Sequence, residues 1–107
     1  MSDEAGRNEL TELWEQVAHI ARARVALIAA TVDALHQRAP VAPAQRVAAA
    51  QECHKLIGSL DSYGRHGGSR LAEQAAALLE HPEPDLDELA DVVDRLRTIV
   101  GGGPGER

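Results

Sequence analysis

Residues 49–64 read AAQECHKLIGSLDSYG, and this stretch contains the pattern that decides the fold. Its apolar side chains recur at a spacing of three or four residues, as on the buried face of an α-helix. They are Ala49, Cys53, Leu56, Leu60 and Tyr63. Pro43 suits the first turn of this helix, and Gly64 suits its end. The stretch therefore predicts a helix that packs one face against other helices.

A long helix is predicted before this stretch. Asn8 is a suitable cap, and the apolar pattern continues to about Gln37, before Pro40. The apolar positions of this helix are Leu10, Leu13, Val17, Ile20, Ala21, Leu27, Ile28, Val32 and Leu35. Such a helix can close a bundle or provide a dimer face, and Leu27, Ile28 and Val32 are the candidates for either role.

Two shorter helices are predicted after the stretch. Residues 67–68 are both glycine and indicate a loop, after which Ser69 is a candidate cap for a third helix. This helix should stop at residues 81–82, His-Pro. Asp85 opens the fourth helix, with Glu88 three positions later as in a capping box.

Four amphipathic helices with short connections predict an all-α fold, an antiparallel four-helix bundle with a long N-terminal helix. Residues 1–7 are expected to form a flexible N-terminus and residues 8–100 the bundle. The tail, residues 101–107, begins with three glycines and is expected to be flexible.

Composition narrows the possible functions. A chain of 107 residues suffices for one domain and leaves no room for an enzyme that needs a separate nucleotide-binding domain. Its formal charge of −6 and the lack of a long basic run disfavour nucleic acid as a partner. No apolar stretch is long enough to span a membrane, no signal-peptide pattern is visible, and the single Cys53 excludes an intramolecular disulfide. We therefore expect a cytoplasmic protein without a membrane partner.

His54 is the residue most suggestive of chemistry. At 100° per residue it lies about 140° from the centre of the buried face, so its side chain should point outward. Gly58 follows one turn later, although a mid-helix glycine costs roughly 1 kcal/mol relative to alanine. The residues that share the outward face with His54 are Val47, Ala50, Ile57, Gly58 and Asp61. This partly apolar surround predicts a protein-docking surface, whereas the simpler alternative is a surface histidine beside a glycine that lets two helices pack closely.

A metal site is not expected. Cys53, His54 and His66 are conceivable zinc ligands, but the first two point about 100° apart on one helix. Paired Cys or His spacing is also missing from the sequence. We interpret Cys53 as a small buried hydrophobic residue and Trp14 as a core or edge anchor.

The histidine segment resembles the histidine-containing phosphotransfer (HPt) domain family, in its single-domain bacterial type. The family pattern is His-x-Leu-Lys-Gly-Ser, with a further glycine ten residues after the histidine. The residues of this chain on those positions are His54, Leu56, Gly58, Ser59 and Gly64. Residues 71–80 resemble the following family helix with its Leu-Leu-Glu ending, so the similarity covers about residues 44–80.

Two features depart from the family pattern. Ile57 occupies the position where the family often has a lysine, and Lys55 is the nearest cation in the sequence. Residues 67–69 lengthen the connection after Gly64. The first departure leaves open which group supports the charge of a phosphoryl group.

The resemblance implies a phosphocarrier of a two-component phosphorelay, which is not an enzyme with its own kinase activity. His54 would be the phosphoacceptor, and the partners would be a response-regulator receiver domain, a hybrid histidine kinase or both. The chain would bind no cofactor, because the receiver would supply Mg²⁺. Lys55 would contact phosphate or a partner carboxylate, Gly58 would leave room for the partner, and Ser59 would pack near a helix crossing. Val47, Ala50 and Ile57 would belong to the docking surface.

Two other classes of function stay open. An adaptor bundle would bind a receiver or kinase without being phosphorylated, and a purely structural helical oligomer would bind neither. The expected oligomeric state is a monomer or weak dimer.

Overall fold

The computed structural model describes the backbone of residues 2–101 and the side chains of residues 11–101. Its elements are the helices α1 (Ser2–His36), α2 (Pro43–Ser62), α3 (His66–Glu80) and α4 (Leu86–Gly101). α2 packs against α1 and α3, and α4 packs against the same two helices, which closes a ring of four. The predicted all-α four-helix bundle with a long first helix is confirmed. Within residues 2–101, no helix combines the length and the apolar character that crossing a membrane requires.

The helix signals around α2 and α4 act as predicted. Pro43 is the first residue of α2. After α2, Gly64 adopts a positive φ of 76°, and the Arg65 backbone N–H donates to the Leu60 carbonyl at 2.7 Å. At the other end of the chain, the Glu88 N–H donates to the Asp85 carboxylate at 3.0 Å, so Asp85 caps α4.

The start of α1 differs from the prediction. The helix begins at Ser2 and runs through Asn8, which is therefore not its cap. At the other end of the chain, α4 includes Gly101, and the rest of the expected flexible tail, residues 102–107, lies outside the described residues.

The start of α3 also differs. The helix begins at His66, so Gly67 and Gly68 belong to its first turn and Ser69 is a buried helical residue rather than the cap. A Cβ atom on Gly68 would lie 3.2 Å from side-chain carbons of both Leu60 and Ile99. This glycine therefore lets the first turn of α3 approach α2 and α4 closely, and the loop prediction was wrong.

The core consists of small and aliphatic side chains. Cys53, Leu56 and Leu60 of α2 are fully buried, which confirms the face predicted from residues 49–64. On α1, Ile28 and Val32 close the bundle, whereas 61% of Leu27 is exposed. Leu13 and Ile20 are also exposed, and the side chain of Leu10 lies outside the described residues. The expected monomer or weak dimer stays a prediction.

Trp14 anchors the end of the bundle at which α2 ends. Its ring is buried and lies 6.1 Å from the Tyr63 ring, centroid to centroid. The Arg65 guanidinium stands 4.4 Å above the indole, within the range of a cation–π interaction. The predicted role of Trp14 as a core anchor is confirmed.

Candidate functional site

His54 projects from the middle of α2 toward solvent. Its side chain is 55% exposed, although its neighbours Cys53 and Leu56 are fully buried. This difference follows from helix geometry, because Cys53 and Leu56 lie on the face that packs against the other helices. The predicted outward orientation of the imidazole is therefore confirmed.

A carboxylate contacts the imidazole. His54 Nε2 lies 2.9 Å from Oε2 of Glu80, the last residue of α3. A carboxylate only accepts, so the hydrogen of this bond is on Nε2. If the ring is neutral, its free lone pair is then on Nδ1. The Glu80 side chain is itself 54% exposed, so both partners of this bond are accessible to water.

Arg46 fixes the end of α3 that carries Glu80. Its Nη2 donates to the Leu79 carbonyl at 2.6 Å and to the His81 carbonyl at 2.7 Å. These carbonyls flank Glu80, and they belong to the helix end whose acceptors lack partners within the helix. The arginine thereby joins the start of α2 to the end of α3 and positions Glu80 beside His54.

Sequence spacing gave no sign of either contact. Glu80 is 26 residues from His54, and Arg46 is 33 residues from Leu79. Both pairs meet only because α2 and α3 pack side by side.

The nearest cation in the sequence, Lys55, is paired with another carboxylate. Its Nζ donates to Glu52 at 3.2 Å, and Glu52 also accepts from Arg24 of α1 at 2.7 Å. Burial raises the pKa of Glu52, but the hydrogen bonds from Arg24 and Lys55 outweigh it and leave this pKa below its usual value. Glu52 is thus held as an anion between two cations.

The other residues of the histidine motif have different environments. Ile57 is half-buried and packs against the core, so it contributes to the bundle as well as to the surface. Ser59 is half-buried, and Gly58 is exposed. A Cβ atom on Gly58 would meet no atom within 4 Å. Close packing of helices within this chain therefore does not explain Gly58, and that alternative is wrong.

An open groove adjoins His54 between the start of α2 and the end of α3, with a volume of about 310 Å³. Val47 stands at its edge and is 56% exposed. Ala50 lines the groove but is buried, in contrast to its predicted place on the outward face, because the end of α3 covers it. The residues that line the groove are Pro43, Arg46, Val47, Ala50, Leu79, Glu80, His81 and Pro82.

The residues considered for zinc do not form a site. Cys53 is buried, and burial together with the nearby Glu80 and Glu52 carboxylates raises the pKa of its thiol to about 12. His66 lies instead against Asp61, with Nδ1 2.9 Å from the carboxylate, and this hydrogen bond lowers the pKa of Asp61. Across the part of the chain that the structure describes, no three side chains of the usual ligand types are grouped around a possible metal position.

The arrangement presents the accessible imidazole of His54, a potential nucleophile, on the surface of α2. Neutral imidazole attacks electrophiles near physiological pH, and its second nitrogen remains free to hydrogen-bond. The His54 imidazole, the Glu80 carboxylate and the groove lie on one side of the α2–α3 pair. No family model, no curated protein and no solved structure matches this chain.

Proposed function

We propose that this protein is a histidine phosphotransfer protein of a two-component phosphorelay, with His54 as its phosphoacceptor. One observation carries the proposal: the exposed His54 lies one turn from Gly58, which has open space where a side chain would stand. A glycine in the middle of a helix costs roughly 1 kcal/mol, and packing within the chain offers no compensation for it. Space for a partner's backbone next to the reacting imidazole accounts for its presence.

The chemistry required of His54 is simple. A ring nitrogen attacks the phosphorus of an aspartyl phosphate, the N–P bond forms, and the P–O bond breaks with its electrons moving to the aspartate carboxylate. Phosphoryl transfer depends chiefly on positioning and on neutralising charge. In this proposal the receiver domain supplies Mg²⁺ and most of the catalytic groups, while the bundle presents the imidazole.

The surface around His54 suits a protein partner. Val47 exposes an apolar side chain at the edge of the groove, and Ile57 adds a half-buried one on the other side of His54. Apolar surface around one polar group is typical of an interaction site. The partner in this proposal is a cytoplasmic receiver domain, alone or as part of a hybrid histidine kinase.

Phosphoryl transfer in vitro tests the proposal. The wild type, His54→Gln and His66→Gln are incubated with phosphorylated receiver domains from the same organism and Mg²⁺. His66 is a matched control, because it is also exposed and also contacts a carboxylate. We expect an acid-labile, base-stable phosphate on the wild type and on His66→Gln, and none on His54→Gln. No label on the wild type with any of these receivers contradicts the proposal.

An adaptor that binds a receiver without accepting phosphate is the second candidate. The contact of Glu80 with His54 Nε2 favours it, because this carboxylate adds negative charge where a phosphoryl group would be. Stoichiometric binding of a receiver, unchanged in His54→Gln and without transfer of label, supports the adaptor.

A further inference from the structure

The charged group that contacts His54 is the Glu80 carboxylate, an anion. A phosphoryl group on His54 would instead need positive charge beside it. Glu80 Oε2 lies 2.9 Å from Nε2, so the Nε2–H bond points at the carboxylate. A phosphoryl group on Nε2 would need the same space. Glu80 must therefore turn away before this nitrogen can carry phosphate.

Neighbouring contacts limit how far a cation can compensate the negative charge of Glu80. Arg46 holds the backbone on both sides of Glu80 through the Leu79 and His81 carbonyls, so only the Glu80 side chain can turn. Lys55 contacts Glu52 and not Glu80. The position at which the HPt pattern often has a lysine is occupied by Ile57, which is packed against the core.

From this geometry we infer that Glu80 is a positioning residue that opposes phosphorylation of His54 at Nε2 and destabilises the phosphorylated form. The inference rests on the proposed function, and it specifies the regulation of the same site. His54 then passes its phosphoryl group on readily instead of storing it. Before attack, Nε2 loses its proton to water and Nδ1 gains one, which moves the lone pair to Nε2.

Coulomb's law sets the size of the expected effect. A phosphoryl group carries a charge of up to about −2 at neutral pH. If Glu80 turns into solvent but stays about 6 Å away, its repulsion in water without salt corresponds to about a tenfold change in an equilibrium constant. Screening at 0.1 M salt reduces this change to about fourfold. Because both groups are exposed, salt should screen this effect: the Debye length falls from about 10 Å at 0.1 M to about 3 Å at 1 M salt.

Phosphoramidate tests the inference without any partner protein. His54 attacks its phosphorus, the P–N bond of the reagent breaks, ammonia leaves, and a new N–P bond forms on the ring. The wild type, Glu80→Gln and Glu73→Gln are compared by the initial rate of phosphorylation and by the rate at which phosphohistidine is lost. Glu73 is the matched control, because it is an exposed residue of the same helix two turns before Glu80 and its substitution changes the net charge equally.

For Glu80→Gln we expect phosphorylation to be faster and loss to be slower, so that the quotient of the two rates rises about fourfold at 0.1 M salt. At 1 M salt the difference should largely disappear. Glu73→Gln should stay within about twofold of the wild type, since its carboxylate lies roughly 10 Å further along α3. Equal quotients for the wild type and Glu80→Gln overturn the inference, as does an equal rise in Glu73→Gln.

This outcome is separable from that of the proposed function. If Glu80→Gln changes the phosphoramidate rates as expected but no receiver transfers phosphate, Glu80 has the inferred effect and the carrier function is wrong. If receivers transfer phosphate to His54 at equal rates in the wild type and Glu80→Gln, and the phosphoramidate rates are also equal, the carrier stands and the inference about Glu80 is wrong.

Discussion

Gly58→Ala should make the protein more stable and a poorer phosphocarrier at the same time. The added methyl group meets no atom within 4 Å, and the residue is exposed in the interior of α2. Alanine exceeds glycine in helix propensity by about 1 kcal/mol. For a domain of this size, 1 kcal/mol shifts Tm by about 4 °C. We therefore expect a rise in the free energy of unfolding of up to about 1 kcal/mol and a Tm higher by a few degrees.

Two glycine controls separate stability from function. Gly67 is also exposed and also has open space, so Gly67→Ala should leave transfer unchanged and add a smaller gain in stability at the helix end. Gly68 is different, because a Cβ there would stand 3.2 Å from Leu60 and Ile99. Overpacking costs about 1–3 kcal/mol, so Gly68→Ala should be neutral or destabilising.

The assays are urea unfolding followed by circular dichroism and the rate of transfer from a phosphorylated receiver. Displacing the reacting groups by about 1 Å can reduce a rate on the order of 100-fold, so a methyl group between His54 and its partner should slow transfer by at least about tenfold. A Gly58→Ala variant that is less stable than the wild type would refute the absence of internal packing at this glycine. A more stable variant with unchanged transfer would refute its role in docking.

Two further predictions concern the bundle itself. Leu56→Ala should lower the free energy of unfolding by about 2–5 kcal/mol in urea titrations, because Leu56 is fully buried. Leu27→Ala, on the exposed side of α1, should change it by no more than about 0.5 kcal/mol. Equal losses in the two variants would contradict the packing described for α1. The lowered pKa of Glu52 means that its pairing stabilises the fold above the ordinary glutamate pKa, near 4.5, and that this contribution disappears as pH falls through the lowered value. Glu52→Gln should therefore be less stable than the wild type at pH 7 and differ little from it near pH 2. A loss of stability of equal size at both pH values would show that the ion pairs of Glu52 do not cause the loss.

Local signals in the sequence were sufficient to predict most of the fold. Three of these signals depend only on a few neighbouring residues: the apolar period of residues 49–64, the proline at the start of α2 and the Asp85 cap of α4. The structure confirms all three predictions. Projection around α2 also placed His54 correctly, because the angle between residues on one helix is fixed.

The errors arose where another helix decides the outcome. Gly67 and Gly68 were predicted to form a loop, yet both lie in the first turn of α3, where Gly68 leaves room for Leu60 and Ile99. Ala50 lies on the outward side of α2 by its angle around the helix axis, but the end of α3 covers it. On α1 the prediction included Leu13 and Leu27, which are exposed, and omitted Ala18 and Ala29, which close helix packing buries.

The contact between His54 and Glu80 could not be predicted from spacing, because it joins two helices across 26 residues. The structure shows a carboxylate at the imidazole, on a helix end whose backbone carbonyls accept hydrogen bonds from Arg46.

The most direct test of the central claim is to locate the phosphate after transfer from a phosphorylated receiver. The chain has five histidines, which peptide mapping by mass spectrometry under alkaline conditions can distinguish. The proposal predicts phosphate on His54 alone, with the other four histidines unmodified. Phosphate on another residue, or an unmodified protein after incubation with every receiver of its organism, would contradict it.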